Sequence, residues 1–445
     1  MEKEWEALSS DERSEEMFKS WITPKDVNFE NGEAKKAYEE RAKRIKDTIQ
    51  LKVPDRIPFW FMDAGFFPCK HVGITFEKAM YDPEACSEAN KRAFLDFEPD
   101  MFFSPFDSLH ISGQAYEALG TMNMKWPGHG VPVNACFQYV EGEYMKADEY
   151  DSFLNDMGDY VVRTYLPRIF KTLEPFAKLP PIGALGIALP GISAVFTQPA
   201  LQSAFMSIQK AGVESMKWKM AEAAFIKDMN GKGFPVLTGG ASLAPFDLIA
   251  DFFRGTRGAM LDMFRNKEKL LEATEKVYPM LVGSAIAMAK MSGNPGVFMP
   301  LHKGADGFMN SQQFEEFYWP GLKKLILALI EEGLTPMPFF EGVYTSRLEY
   351  LAELPKGKVL GIFDNTDIHK AKEILGDSMC ITGLMPVSLL QVGAPEKIRE
   401  YSKELIDVVG KDGGFIMAPK AAISDADPER VKVWAEYTRE YGVYK

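Results

Sequence analysis

The chain is predicted to be an α/β protein, a (β/α)8 TIM barrel with an N-terminal helical extension and a long insertion after the second strand. Three observations predict it. Short apolar runs ending in polar residues alternate with longer amphipathic stretches, which is the signature of βα units. Eight such runs occur, the number that closes a parallel barrel. At 445 residues the chain is long enough for two or three average domains, yet barrels with insertions commonly use this length as one.

The first run, Arg56 to Gly65, reads R-I-P-F-W-F-M-D-A-G. It has a buried body (Ile57 to Asp63) and an acidic tip. The other seven are Met101 to Phe106, Pro235 to Gly239, Val297 to His302, Thr335 to Glu341, Val359 to Asp364, Cys380 to Leu384, and Phe415 to Pro419. Helical patterns lie between them. Ser311 to Glu332 places Phe314, Phe317, Leu325 and Leu329 near one face, and Asp367 to Leu375 and Pro395 to Val409 also read as helices. Residues 1–50 form a charged helical preface, and 51–445 form the barrel. Within it, residues 109–230 are too long for a bare loop and must carry structure of their own. Leaving from the C-terminal end of a strand, this insertion is expected to form a lid over the mouth.

Bulk properties exclude several classes. The formal net charge of −12 and pI near 5.2 argue against nucleic acid or an anionic membrane as partner. Four cysteines, Cys69, Cys86, Cys136 and Cys380, show no metal or disulfide spacing and fit a reducing, cytoplasmic compartment. The first residues lack the apolar core of a secretory signal. Leu179 to Gln209 carries no charge, but its four prolines and three glycines break it into pieces too short to span a bilayer. It reads as a buried segment or an apolar flap.

The first strand resembles the opening strand of the uroporphyrinogen decarboxylase superfamily, R-x-P-x-W-F-M-R-Q-A-G-R-Y. Further matches follow in order. Pro235 to Gly239 with Ala244-Pro245-Phe246 and Phe253-Arg254-Gly255 is similar to the family's third strand and next helix. Phe314 to Phe317 with Trp319-Pro320 is similar to the helix after its fourth strand. Pro386 and Leu390 with Gly393-Ala394-Pro395-Glu396 resemble its closing segment. The resemblance implies a barrel and one of two chemistries. The decarboxylase branch holds substrate carboxylates with two arginines of strand one; here Asp63 and Phe67 or Phe66 stand in those places. The other branch consists of zinc methyltransferases in corrinoid-dependent systems of anaerobes. Its thiol-methylating members carry H-x-C after strand five and a Cys after strand eight. Here Phe339 and Glu341 replace the pair, and Ala418-Pro419-Lys420-Ala421 has no Cys.

Reading the last residue of each strand gives the candidate chemistry. Asp63, His302, Glu341, Asp364 and Lys420 are the catalytic candidates. His302, Glu341 and Asp364, from adjacent strands, could ligate zinc with an open position for a methyl ether oxygen. The bland readings are a hydrogen-bonded histidine, a Glu341 that caps a helix or pairs with Arg347, and capping for Asp367. Phe66, Phe67, Phe106, Asp107, Phe339, Tyr344 and His129 are candidates for contacting the substrate, and the aromatic tips suit an apolar or aromatic one. For His129, in a Gly-Pro turn, a structural role is the favourite. His71 and His110 have weaker claims, and His369 reads as surface. The expected function is a methyltransferase that moves a methyl group between a small, methoxylated or aromatic substrate and a corrinoid protein. No corrinoid-binding motif occurs in the chain, so a partner would supply the corrinoid. The alternatives are a decarboxylase or lyase using Asp63 or Asp107, and a binding protein without chemistry. A homodimer stays open.

Overall fold

The computed structural model describes residues 5–62, 66–104 and 112–445. Three short strands, Met124–Pro127 (β1), Gly130–Val131 (β2) and Gln138–Tyr139 (β3), form a small sheet of order β2-β1-β3 inside the insertion. The main sheet has six strands: Thr238–Ala241 (β4), Gly296–Leu301 (β5), Thr335–Phe340 (β6), Leu360–Phe363 (β7), Cys380–Met385 (β8) and Phe415–Pro419 (β9). They are parallel and neighbour one another in chain order. Every residue of β6 to β9 is buried, as expected of parallel strands covered on both faces.

Six of the eight predicted strands are therefore found, with ends moved by at most three residues. Among the described residues the first two make single parallel bridges, Phe59 to Met417 of β9 and Phe102 to Val236 just before β4. Trp60 N donates to Met417 O at 2.9 Å, and Met417 N donates to Pro58 O at 2.9 Å. Pro58 can only accept, which shortens any ladder there. Asp100 N donates to Phe59 O at 2.8 Å and ties the two segments together.

The helix predicted from Ser311 to Glu332 is interrupted. Ser311–Gln313 and Trp319–Glu331 are α-helical, and Phe314–Tyr318 is a π turn between them. Pro320 lacks the N–H that would bond Glu316, and the widened turn absorbs the gap.

Side chains of alternating parity divide into two cores. Val297, Met299 and Leu301 belong to the large outer core with the surrounding helices. Leu237, Met337, Phe339, Leu360, Ile362, Cys380, Ile416 and Ala418 belong to a second core with Trp60, Met62 and Met101. Two N-terminal helices complete that second core. Ser10–Ile22 begins with a Ser9/Glu12 capping box and contributes Phe18 and Trp21, while Gly32–Ile49 begins at Asn31 and contributes Tyr38, Ala42, Ile45 and Ile49. The Trp21 indole donates to Val236 O at 2.7 Å. Arg44 and Arg56 both donate to the fully buried Asp100, each at 2.7 Å.

The insertion packs against the segment after β4. Met145 N donates to Phe253 O at 2.6 Å, and the Phe253 ring lies 4.7 Å from Tyr165 and 5.1 Å from Phe153. The insertion ends in the helix Pro199–Gly231, whose buried seam is Ala204, Ala211, Trp218 and Phe225. Of the two readings of the uncharged segment, the buried one fails for Ile182–Ile192, a helix with no buried residue. Among the described residues no single helix is long and apolar enough to cross a membrane. Lys171–Lys178 and Ile182–Thr197 reach the composition only together, and they meet at 75°.

Candidate functional site

The parity of the strands carries the site. Phe298, Phe339, Ile362 and Ala418 face the inner core. Two residues beyond Phe339, Ile362 and Ala418, and four beyond Phe298, the same side is reached by Glu341, Asp364, Lys420 and His302. Beneath them lies an aromatic layer. Trp60 and Phe103 rings are 4.6 Å apart, Phe103 and Phe298 5.1 Å, and Phe298 and Phe339 6.4 Å.

His302 is the centre. Its Nδ1 is 2.5 Å from Asp251 Oδ2, and its Nε2 is 3.6 Å from Glu341 Oε1. Lys303 Nζ reaches the other Asp251 oxygen at 3.1 Å. Below, the fully buried Asp247 accepts from the backbone N–H of His302 and of Lys303, both at 3.0 Å, and from the Tyr318 hydroxyl at 2.6 Å. Burial alone would push the imidazolium toward its neutral form. The carboxylates of Asp251 and Glu341 outweigh it, so the imidazolium persists up to about 10. Burial, then the charge of Asp251, raises the Asp247 carboxyl to about 6.

Asp247 and Asp251 were not singled out from sequence. Both follow β4, on Pro245–Leu248 and the π-helical turn Ile249–Arg254. Their i, i+4 spacing in an otherwise apolar stretch was the available signal. It places both carboxylates toward one side of a helix, and π turns recur at functional sites.

The remaining tips separate. Asp364 Oδ2 accepts from Gly342 N at 3.0 Å, and burial raises its carboxyl above the ordinary value. Lys420 Nζ donates to the Asn365 side chain. Arg347 is not paired with Glu341. It is buried, donates to Met309 O at 2.5 Å and Ser311 Oγ at 3.1 Å, and faces Asp306 at 3.5 Å. Asp367 caps the helix Ile368–Leu375 as expected, accepting from His369 N and Lys370 N.

Several substrate-contact expectations are corrected. Phe66 stacks on Phe76 at 4.6 Å and Phe67 packs on Phe97 at 5.4 Å, both inside the outer core. Tyr344 is fully buried against Phe340, its hydroxyl so near Gly304 that a Cβ there would meet it at 2.8 Å. His129 stacks on Trp126 at 4.9 Å and pairs with Glu117 at 3.1 Å, a structural turn in the insertion. His71 pairs with Asp96 at 2.8 Å, and His369 is exposed near Glu404. Cys380 is buried at the foot of β8 and its thiol is pushed well up by burial. Phe339 keeps its place in the inner aromatic layer. Asp63, Phe106, Asp107 and His110 lie outside the described residues.

The described residues do not assemble the zinc ligand set expected of His302, Glu341 and Asp364. Among the described residues no three His, Cys, Asp or Glu side chains converge as metal ligands. His302 Nδ1 is taken up by Asp251, and its Nε2 faces Glu341 at 3.6 Å. Asp364 holds the Gly342 amide with one carboxylate oxygen. What the arrangement offers instead is a proton donor on an aromatic floor. Among the described residues His302, Lys303 and Lys420 face Asp247, Asp251, Glu341 and Asp364, so no surplus of positive charge remains among them.

Comparisons with known proteins bear on this geometry. The family model described as uroporphyrinogen decarboxylase (URO-D) matches residues 190–441. Uroporphyrinogen decarboxylases of Chlorobium phaeobacteroides and Chlorobium phaeovibrioides are 26% and 28% identical over 161 and 137 residues, or 33% and 30% of this chain. The match spans 45% and 38% of those relatives, less than half of their length. Among solved structures, a methyltransferase from Methanosarcina mazei superposes with a TM-score of 0.59 at 15% identity, over 91% of this chain and 98% of that one. At that identity the likeness is one of fold.

Proposed function

The chain belongs to the uroporphyrinogen decarboxylase family, and from that premise we propose that it is a methyltransferase rather than a porphyrinogen decarboxylase. The six-stranded sheet, with the bridges at Phe59 and Phe102 on its two edges, is read as an eight-stranded barrel. The insertion, gripping the segment after β4, is its lid. The substrate is a small methoxylated or aromatic compound, and the methyl acceptor is a corrinoid carried by a separate protein.

The observation that carries this reading is the His302 imidazolium between Asp251 and Glu341. A methyl–oxygen bond breaks slowly because an alkoxide or phenoxide is a poor leaving group. A proton delivered to that oxygen as the bond breaks removes the difficulty. Asp251 holds Nδ1, which leaves the Nε2 proton toward Glu341 and the mouth. The methyl carbon passes to the acceptor, the bonding pair stays on oxygen, and Nε2 supplies the proton. Glu341, beside Nε2, is then placed to pass a proton taken from solvent back to the ring. The aromatic layer below suits a flat apolar substrate and excludes water, which strengthens the acid's hydrogen bond. Among the described residues a polycarboxylate finds no uncompensated cation here, which weighs against decarboxylation of a porphyrinogen.

The test supplies the protein with a reduced corrinoid protein and a panel of methoxylated aromatics, following the corrinoid's visible spectrum as it takes up the methyl group. Transfer is expected with at least one compound, and His302→Gln is expected to slow it by about 10²–10⁴-fold, the usual worth of a general acid. No spectral change across a broad panel, with a corrinoid protein encoded beside this chain supplied, would put the decarboxylase or binding readings ahead.

A further inference from the structure

We propose that the uncharged arm of the insertion seats this protein on an anionic lipid surface. The inference is independent of the chemistry at the strand tips. Between Lys178 and Lys210 the chain has no charged residue. Within it the helix Ile182–Ile192 buries nothing, and Ile187 is 90% exposed. A helix that is apolar on every side is covered by something apolar. At about 1.5 Å per residue it is roughly half the thickness of a bilayer core of about 30 Å. It can therefore lie in a membrane surface and cannot cross it. The expectation of no membrane partner rested on span length and overall charge; span length does not bear on this mode, and the arm's local charge is opposite in sign to that of the whole chain.

The neighbouring helix extends the surface. Opposite the buried seam of Pro199–Gly231 runs a second apolar seam: Met206, Val213, Met216 and Met220, all exposed. The spacing of seven, three and four residues keeps them on one face. Charge decides what covers it. Lys178 and Lys210 bracket the uncharged arm, and Lys210, Lys217 and Lys219 flank the seam. Among the described residues, of these lysines only Lys217 has a carboxylate partner, Glu214. A second copy docked about a two-fold axis would set these lysines against each other. Anionic headgroups would neutralise them while the acyl region covers the apolar side chains. The remainder of this acidic chain is repelled from such a surface, so the basic, apolar arm also fixes the orientation.

The experiment is co-sedimentation of the full chain with vesicles of phosphatidylcholine, with and without phosphatidylglycerol. Binding is expected on the phosphatidylglycerol vesicles, falling as salt is raised, and at least about tenfold weaker on phosphatidylcholine alone. Ile187→Glu with Leu189→Glu should reduce it by about tenfold or more, with an unchanged circular dichroism spectrum and melting temperature because both side chains are exposed. Lys210→Glu with Lys219→Glu should weaken binding only where phosphatidylglycerol is present. Equal sedimentation with both vesicles, no sedimentation with either, or an unaffected Ile187/Leu189 variant would overturn the proposal. So would a dimer in sedimentation velocity that the same variant dissociates, since the arm would then belong to a second copy.

Discussion

At the scale of single residues the site is a proton held by geometry. The folded chain binds the His302 proton more tightly than the unfolded chain, whose histidine titrates at an ordinary 6.5. The resulting stability is complete below that value and is lost as pH rises toward about 10. Activity that uses the proton should fall over the same upper limb. Asp251→Asn should move that limb down toward neutrality, as read from a pH–rate profile. A merely structural Asp251 would lower the amplitude and leave the limb in place. Asp247→Ala would strand three donors at once, the His302 and Lys303 amides and the Tyr318 hydroxyl. At about 1–3 kcal/mol for each buried unsatisfied group, denaturant unfolding should show a loss of about 3 kcal/mol or more. The tips His302, Glu341, Asp364 and Lys420 were legible because a strand's period of two declares which side each side chain takes. Asp247 and Asp251 were not, because an aspartate in the first turns of a helix reads equally well as a cap. Phe66 and Phe67 misled because an aromatic near a strand end is counted toward the mouth until its helix turns it into the core.

At the scale of elements, the loop after β5 is held from the next unit. Arg347, in the short turn Thr345–Arg347 after β6, reaches back to Met309 O and Ser311 and lies 4.6 Å over the Phe314 ring. Arg347→Ala leaves those acceptors and the neighbouring Asp306 without their buried cation. A loss of roughly 3–5 kcal/mol is expected, with faster hydrogen exchange in residues 302–311, measured by mass spectrometry. The late strands were readable almost to the residue, since continuous apolar runs such as Cys380–Met385 have one use in a protein of this pattern. The first two were read as full strands and make single bridges. Pairing depends on a partner's register and on prolines that donate nothing, and neither is written in the run itself.

Over the whole molecule, the charged preface is a structural floor. Trp21 donates into the backbone beside β4, and Arg44 joins the N-terminal helices to Asp100. Trp21→Ala should cost roughly 3–5 kcal/mol in global unfolding. Asp100 is held below the ordinary carboxylate range by Arg56 and Arg44 against its burial. Its contribution is therefore present above 3.8 and is lost as pH falls through its lowered folded value. Asp100→Asn should remove that acid-sensitive part of the stability. The composition of residues 1–50 gave their helicity but not their role, because amphipathic helices bury whichever face finds a partner and the partner lies hundreds of residues away.

The π turn Ile249–Arg254 has two neighbours. One side is clasped by the insertion through Phe252, Phe253 and Arg254, and the other presents Asp251 to His302. Acid strength in this protein is consequently geared to mechanics. Displacing the clasp shifts the turn, lengthens a 2.5 Å contact, and weakens the proton's hold on the ring. Phe253→Ala, which removes no charge and no hydrogen-bonding side chain, should lower the titration point of His302 measured by NMR, while Phe97→Ala in the far part of the same core should not.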